Sequence, residues 1–181
     1  MKFVPTDIPD VVLIETTLHG DERGFFMETW RENLFAEAGI DTRFVQDNHS
    51  RSVGHTLRGL HYQIIQPQGK LVRVSEGEVF DVAVDLREHS PTCGRWVGEI
   101  LSAQNRRQMW VPGGFAHGFL VLSDVAEFIY KCSDYYAPHY ERTLKWDDPE
   151  IGIDWPLAPG VTPIMSEKDM AGCSLAEAEL F

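Results

Sequence analysis

Short runs of alternating apolar and polar residues fill the chain from Val11 to Ser133, separated by Gly, Pro, Asp and Ser clusters. Side chains of a β-strand point alternately to its two faces, so this pattern predicts strands. The clearest run is Glu78 to Leu86, which the turn Glu76-Gly77 joins to a strand from Lys70 to Ser75. About ten such runs at close spacing are typical of a β-sandwich or barrel.

Further strands and a few short helices complete the predicted architecture. The strands are Val11–Thr17, Phe25–Trp30, Arg43–Ser50, Leu57–Gln63, Arg95–Ser102, Arg107–Val111, Phe115–Leu122 and Ala126–Ser133. A helix is predicted from Glu32 to Ala38, ended by Gly39, and Ser174 and Glu177 have the spacing of a capping box. From about residue 135 the prolines are frequent and periodicity is poor, which predicts an irregular segment that wraps the sandwich. The chain is therefore interpreted as one all-β domain over residues 1–181.

Composition and charge narrow the classes of function. The 181 residues carry a net charge of -12, and no run of Lys or Arg supplies the basic surface of a nucleic-acid binder. Any anionic ligand must then meet a local basic cluster. The three cysteines include no C-x-x-C pair, which favours reduced thiols. Met1 to Asp10 lacks the apolar run of a signal peptide and no later segment has transmembrane length, so we expect a soluble, cytoplasmic protein without membrane contact.

The strand Leu57–Gln63 carries polar residues where a core strand would be apolar. It puts His61 and Gln63 on the inner face, where both need hydrogen-bond partners if they lose water. His61 is a candidate general base, and the ordinary alternative is a hydrogen-bonded core histidine. Arg58 falls on the opposite face of a regular strand. Either Gly59 marks a bulge or Arg58 serves another surface.

Two further inner positions have candidate chemistry. Lys70 shares strand parity with Val72, so its ammonium lies on an apolar face where an anion or enolate would stabilise it. The alternative is a lysine exposed to water at the start of the strand. Tyr130 has the parity of Phe128 and Cys132, so its hydroxyl points inward and is a candidate proton donor. The alternative is an ordinary core aromatic.

Four histidines raise the alternative of a metal site, because cupin-type barrels bind metals with histidines and one carboxylate: His49, His55, His61 and His117. No H-x-H pair is present, and the strand around His117 offers no second histidine, so the spacing argues against a metal site. Asp169 has two interpretations. It caps a short helix, or it orients His61 if the C-terminal segment folds over the mouth of the barrel.

Ordered motifs over most of the chain resemble those of the dTDP-4-dehydrorhamnose 3,5-epimerase family. The outermost are Asp21-Glu22-Arg23-Gly24-Phe25-Phe26 and Ser166-Glu167-Lys168-Asp169. Between them lie Gln46-Asp47-Asn48-His49-Ser50, Arg58-Gly59-Leu60-His61, Phe80-Asp81-Val82, Gly113-Gly114-Phe115-Ala116-His117-Gly118-Phe119, Tyr130-Lys131-Cys132-Ser133 and Trp146-Asp147-Asp148-Pro149. So many matches in the same order are hard to obtain by chance.

The resemblance implies a cupin-like jelly roll that forms a homodimer and acts on a dTDP-linked 4-keto-6-deoxyhexose without metal or other cofactor. It implies that His61 is the base held by Asp169, that Lys70 stabilises an enolate and that Tyr130 is the opposing acid. It implies a substrate-binding set as well: Arg23, Arg58 and Lys168 near the diphosphate, Glu28, Gln46, Asp47 and Asn48 at the nucleotide, Tyr136 on the thymine, and His117 and Glu141 at the sugar. Phe26 also belongs to this substrate-binding set. Arg23 and Glu28 would serve the neighbouring subunit.

The function implied is inversion of C3 and C5 of dTDP-4-dehydro-6-deoxy-D-glucose to give dTDP-4-dehydro-beta-L-rhamnose, a precursor of surface polysaccharide or glycosylated metabolites. The nearest alternative is a relative that epimerises only C3 or only C5 of another dTDP-ketosugar. Tyr130 favours the double epimerase, since it supplies an acid on the far face. A metal-dependent cupin oxygenase and a non-catalytic sugar-binding jelly roll are more distant alternatives, because neither explains His61, Lys70, Tyr130 and Asp169 together.

Overall fold

The computed structural model describes residues 1–181 and consists mainly of short antiparallel strands. The strands are β1 (Lys2–Pro5), β2 (Val12–Glu15), β3 (Leu18–Asp21), β4 (Gly24–Met27), β5 (Gln46–Val53), β6 (Leu57–Gln63), β7 (Lys70–Glu76), β8 (Glu78–Asp85), β9 (Trp96–Ser102), β10 (Gln108–Val111), β11 (Phe115–Val121), β12 (Val125–Cys132) and β13 (Glu141–Thr143). The helices are α1 (Glu32–Glu37) and α2 (Glu167–Met170), with 3₁₀ turns at Pro138–Tyr140 and Leu175–Glu177. Neither helix, at six and four residues, has the length needed to cross a bilayer.

Two large sheets face each other and form a sandwich. One has six strands in the order β1-β2-β10-β7-β12-β5, and the other has five in the order β13-β6-β11-β8-β9. Apolar side chains from both sheets form the core between them, including Val72, Val79, Met109, Phe119 and Phe128. The predicted all-β, cupin-like jelly-roll architecture with a few short helices is confirmed.

Strand β8 shows how the alternation builds this core. Val79 and Ala83 point between the sheets, whereas Val82 and Val84 point to the outer face of the five-stranded sheet. That outer face is covered by the C-terminal segment, whose Leu144 and other apolar residues pack on it. Both faces of β8 are therefore buried, which explains why both faces carry apolar residues.

Helix α1 covers part of the outer face of the six-stranded sheet. Its Phe35 packs with Ile14, Leu71 and Trp110 in a separate apolar cluster. The other half of that face, on β12 and β5, carries an array of charged side chains that includes an ion pair between Lys131 and Asp47. The inner face of the same strands is therefore the side available for a pocket within the sandwich.

Three strands were not predicted, and one predicted strand is displaced. β1, β3 and β13 have only three or four residues, and each exists through pairing with a neighbour. The strand predicted at Arg43–Ser50 runs instead from Gln46 to Val53, because its pairing with β12 begins at Gln46 opposite Cys132.

Candidate active site

A pocket of about 460 Å³ opens between the inner faces of the two sheets. β5, β7 and β12 supply one wall, β6 and β11 supply the other, and α2 and the segment around β13 close the side. Most of its lining is polar: Gln46, Asn48, Ser50, Arg58, His61, Gln68, Lys70, His117, Tyr130, Tyr136, Glu141, Ser166, Lys168 and Asp169. All four predicted catalytic residues are in this set, as are most of the predicted binding residues.

A bulge in β6 brings Arg58 to the same pocket as His61. His117 lies opposite His61 in the β11–β6 ladder, but two residues later Phe119 lies opposite Arg58, so β6 contains one extra residue. Gly59 has a φ of 125°, and a Cβ there would lie 2.5 Å from the Cα of Gly118. Only glycine fits this close approach. Of the two sequence alternatives for Arg58, the bulge at Gly59 is the one that the structure contains.

His61 forms a pair with Asp169 of α2. Nε2 of His61 lies 2.7 Å from Oδ1 of Asp169, with side-chain exposures of 26% and 6%. The contact is short but lacks the alignment of a regular hydrogen bond, and Nε2 is completely buried. Burial by itself raises the pKa of Asp169, but the close contact with His61 and the hydrogen bonds from Ser166 and the Gly59 backbone bring it well below its usual value. Asp169 is thus ionised at neutral pH and stabilises an imidazolium.

Both interpretations of Asp169 hold at once. It is residue N3 of the α2 capping box, whose N-cap is Ser166, and it also contacts the His61 ring. Because Nε2 faces Asp169, the other ring nitrogen, Nδ1, is left to take a proton from a ligand in the pocket.

Lys70 begins β7, as predicted, but it is half-buried in the wall of the pocket, so its interpretation as a lysine exposed to water is wrong. Its Nζ is 3.5 Å from the carbonyl oxygen of His61, and no carboxylate lies within ion-pair distance. Burial lowers its pKa because the ammonium has lost water. A poorly solvated cation beside His61 is well placed to stabilise negative charge that develops on a ligand.

Tyr130 faces His61 from the opposite sheet. It lies on the inner face of β12, with its ring 5.9 Å from that of Phe128, whereas His61 projects from β6 across the sandwich. Burial raises the pKa of Tyr130, so its hydroxyl stays protonated at neutral pH. The pocket therefore has an imidazole on one wall and a protonated phenol on the other.

His117, which lines the pocket, forms a second histidine–carboxylate pair with the buried Asp81. Nε2 of His117 is 2.9 Å from Oδ1 and 3.1 Å from Oδ2 of Asp81, and both residues are buried. Burial raises the pKa of Asp81, although His117 and Lys70 oppose the shift. Asp81 was missed as a site residue, although a carboxylate at the inward parity of the apolar strand β8 was a signal that could have identified it.

The mouth of the pocket is held by a network of polar side chains. Tyr136 donates its hydroxyl to Oε2 of Glu141 at 2.7 Å, and Lys168 pairs with the other oxygen of Glu141. Burial raises the pKa of Glu141, but the hydrogen bonds from Lys168 and Tyr136 outweigh it and the net shift is downward. Gln46 accepts from the backbone of Tyr136. Arg58 and Lys168 supply the local positive charge that the acidic composition made necessary.

Gln63 does not line the pocket but supports this mouth. Its Nε2 donates to the carbonyl of Gln66 at 2.7 Å, and its Oε1 accepts from the backbone of Ala137 at 2.8 Å. The buried amide thus fixes the loop that carries Tyr136, which explains a polar residue at an inward position.

Four predicted binding residues are not brought into the pocket. Arg23 pairs with Asp21 in the β3–β4 hairpin, Phe26 of that hairpin is 68% exposed, and Glu28 pairs with Arg31. Asp47 pairs with Lys131 on the outer face, because successive residues of β5 point to opposite sides and its neighbours Gln46 and Asn48 take the inner one.

The histidines considered as metal ligands lie apart. His49 is on the outer face near Glu127, and His55 is in the turn before β6. His61 and His117 face the pocket, each with its own carboxylate. No three His, Cys, Asp or Glu side chains are grouped as ligands of one ion.

The jelly-roll sandwich and its polar pocket have the architecture of a cupin-like enzyme, with His61, Lys70, Tyr130 and Asp169 in one cavity. A family model described as dTDP-4-dehydrorhamnose 3,5-epimerase matches residues 5–177. The chain belongs to the dTDP-4-dehydrorhamnose 3,5-epimerase family.

Individual relatives agree over almost the whole chain. The dTDP-4-dehydrorhamnose 3,5-epimerase of Pseudomonas aeruginosa is 59% identical over 182 residues, covering 100% of this chain and 99% of that protein. A solved structure of dTDP-6-deoxy-D-glucose-3,5-epimerase from Legionella pneumophila, in complex with dTDP-4-keto-L-rhamnose, is 53% identical with a TM-score of 0.94, covering 98% of this chain and 94% of that one. A solved structure of a 3'-monoepimerase from Streptomyces bikiniensis in complex with dTDP-quinovose is 35% identical with a TM-score of 0.88, covering 95% of this chain and 87% of that one.

Proposed function

We propose that this protein inverts C3 and C5 of dTDP-4-dehydro-6-deoxy-D-glucose and so makes dTDP-4-dehydro-beta-L-rhamnose. The observation that carries this proposal is the opposition of the His61–Asp169 pair and Tyr130 across one pocket. Inversion at a carbon requires removal of a proton from one face and delivery to the other, and a base and an acid on opposite walls meet that requirement.

The chemistry follows from the C4 ketone of the substrate, which makes the hydrogens on C3 and C5 acidic. His61 takes the proton of the C–H bond, and the charge of Asp169 stabilises the resulting imidazolium. The electrons of that bond move to the C4 oxygen, where Lys70 stabilises the enolate. Tyr130 then donates its proton to the opposite face of the carbon. Solvent reprotonates the phenolate and takes the proton from His61, so the sugar is isomerised without net redox change.

Binding of the nucleotide rests on the polar mouth of the pocket. We assign Arg58 and Lys168 to the diphosphate, Gln46 and Asn48 to the nucleotide, Tyr136 to the thymine, and His117 and Glu141 to the sugar. The Legionella relative in complex with dTDP-4-keto-L-rhamnose supports a ligand of this class. We also propose a cytoplasmic location, with which the unpaired thiols of Cys93, Cys132 and Cys173 are compatible.

A single epimerase is the second candidate, because the Streptomyces bikiniensis monoepimerase shares the fold at a TM-score of 0.88. The Pseudomonas and Legionella relatives, at 59% and 53% identity, carry names of 3,5-epimerases and favour the double reaction.

Deuterium incorporation separates the two candidates. The protein is incubated with dTDP-4-dehydro-6-deoxy-D-glucose in deuterated water, and C3 and C5 are followed by NMR. We expect deuterium at both carbons together with the L-rhamno configuration, because each inversion replaces a carbon-bound hydrogen by a solvent-derived one. Exchange at one carbon would identify a single epimerase, and absence of exchange at both would contradict the proton-transfer mechanism.

We also propose a homodimer in which each subunit lends Arg23, Phe26 and Glu28 to the pocket of its partner. The β3–β4 hairpin pairs with neither large sheet, yet it exposes Phe25 at 58% and Phe26 at 68%. An isolated two-stranded hairpin is marginally stable in water, so exposed phenylalanines on one suggest a covering surface. β5 is an unpaired edge beside the pocket mouth, which supports a second copy as the occupant.

Mixed dimers give a direct test. Arg23→Ala and His61→Asn are each expected to be poorly active alone, but a mixture that exchanges subunits should regain activity. In the mixed dimer, one pocket combines the intact His61 of one chain with the intact Arg23 of the other. Recovery together with a dimer mass in analytical ultracentrifugation supports the sharing. A dimer whose mixture gains no activity, or a monomer, contradicts it.

A further inference from the structure

We infer that Ser166 is a positioning residue of this active site: it fixes the carboxylate of Asp169 and, through it, the ring of His61. The inference rests on the proposed function, since it assigns to Ser166 a role in the same proton transfer. Ser166 lines the pocket as the N-cap of α2, and the sequence motifs gave it no role of its own.

The two oxygens of Asp169 divide their contacts between the catalytic histidine and Ser166. Oδ1 lies 2.7 Å from Nε2 of His61 and accepts from the backbone of Gly59 at 3.2 Å. Oδ2 accepts from Oγ of Ser166 at 2.6 Å and from the backbone of Ser166 at 3.2 Å. A rotation of the carboxylate that broke the contacts of one oxygen would also disturb the contacts of the other. The Ser166 hydroxyl therefore restrains the oxygen that meets the histidine.

Helix α2 cannot provide this restraint by itself. It has only four residues, and so short a helix in water has little stability of its own. The capping box stabilises its N-terminus: Oγ of Ser166 donates to Oδ2 and accepts from the backbone N–H of Asp169 at 3.2 Å. The hydrogen bonds of the capping box thus both begin the helix and hold the catalytic carboxylate.

Direct contact between Ser166 and the substrate is the competing explanation, because the residue lines the pocket. A serine hydroxyl has one proton to donate, and here that proton is given to Asp169. The hydroxyl also accepts from the Asp169 backbone, so its proton and one of its two lone pairs are used inside the capping box. This favours positioning over binding.

The chain supplies a matched control in a second capping box. Ser174 donates its hydroxyl to Oε2 of Glu177 at 2.7 Å, with the same three-residue spacing. Neither residue lines the pocket, and Glu177 is exposed. Ser174→Ala therefore removes the same kind of bond from the same kind of motif without touching the site.

The test compares steady-state kinetics of Ser166→Ala, Ser166→Thr and Ser174→Ala on dTDP-4-dehydro-6-deoxy-D-glucose. We expect Ser166→Ala to lower kcat about tenfold with little change in KM, since a small misplacement of a catalytic group slows chemistry more than binding. Threonine retains the hydroxyl and is a good N-cap, so Ser166→Thr should recover most of the loss. Ser174→Ala should match the wild type in kcat, and similar melting temperatures of the alanine variants would show that folding is not the cause.

Coupling to Asp169 supplies the second readout. If Ser166 acts through Asp169, the effect of Ser166→Ala should depend on whether Asp169 is present. In the wild-type protein Ser166→Ala should lower the exchange rate clearly, and in the Asp169→Asn variant it should lower the residual exchange rate far less. Additive losses, a raised KM with unchanged kcat, or a kcat equal to that of Ser174→Ala would each overturn the inference. The proposed function is judged separately, by whether the wild type converts the substrate.

Discussion

His61→Asn is expected to abolish deuterium exchange at both C3 and C5 and to lower kcat by about 10² to 10⁴-fold, the usual contribution of a positioned acid–base group. Asparagine is of similar size and can still contact Asp169, but it has no site that takes a proton near neutral pH. The ionised Asp169 would then face a neutral amide. The other imidazole of the pocket, His117, lies on β11 and pairs with Asp81 instead of Asp169, so it does not take the position of His61.

The measurement is the NMR exchange experiment with kcat and KM in parallel. His49→Asn is the control, because it makes the same chemical change at an exposed histidine on the outer face of β5, next to Glu127. We expect His49→Asn to exchange both hydrogens at the wild-type rate. Exchange at the wild-type rate in His61→Asn would remove His61 from the mechanism. A raised KM with unchanged kcat would make it a binding residue.

The alternation of apolar and polar residues was enough to predict the long strands. It also predicted on which face of its strand each main candidate side chain lies. The bounds of β8 were predicted within one residue, because both of its faces are buried and both carry apolar residues along the strand. The inward directions of His61 and Tyr130 followed from the same alternation of side chains, which can be recognised within a single strand without knowledge of its neighbours.

The features that depend on two strands at once could not be predicted in this way. The face of Arg58 depends on a bulge that arises where Gly59 meets Gly118 of β11. The pairing of Asp81 with His117 likewise joins neighbouring strands. No pattern within β8 or β11 specifies these contacts, since register is set across the sheet.

The same limit applies to the short elements and to the hairpin. β1 and β13 are strands only because β2 and β6 pair with them, so their own few residues carry little signal. The family resemblance implied that Phe26 of β4 binds substrate, yet the fold of one chain leaves it exposed and outside the pocket. A second chain is needed to give it the proposed role.

Tyr130→Phe is expected to separate the two halves of the reaction. His61 and Lys70 remain, so the enzyme should still form the enolate and return a solvent-derived proton from the His61 side. Deuterium should then enter C3 and C5 with retention of configuration. Formation of the L-rhamno sugar should fall by about 10² to 10⁴-fold, because the acid on the opposite wall is missing.

The control for this substitution is Tyr135→Phe. It removes the same hydroxyl from a tyrosine that is 61% exposed and does not line the pocket, and we expect wild-type rates of exchange and inversion. Inversion at the wild-type rate in Tyr130→Phe would show that the opposing acid is another group. Loss of exchange together with inversion would show that Tyr130 is needed for enolate formation as well. Retained exchange without inversion would be the specific sign that the proton given to the far face comes from Tyr130, whose raised pKa keeps that proton available at neutral pH.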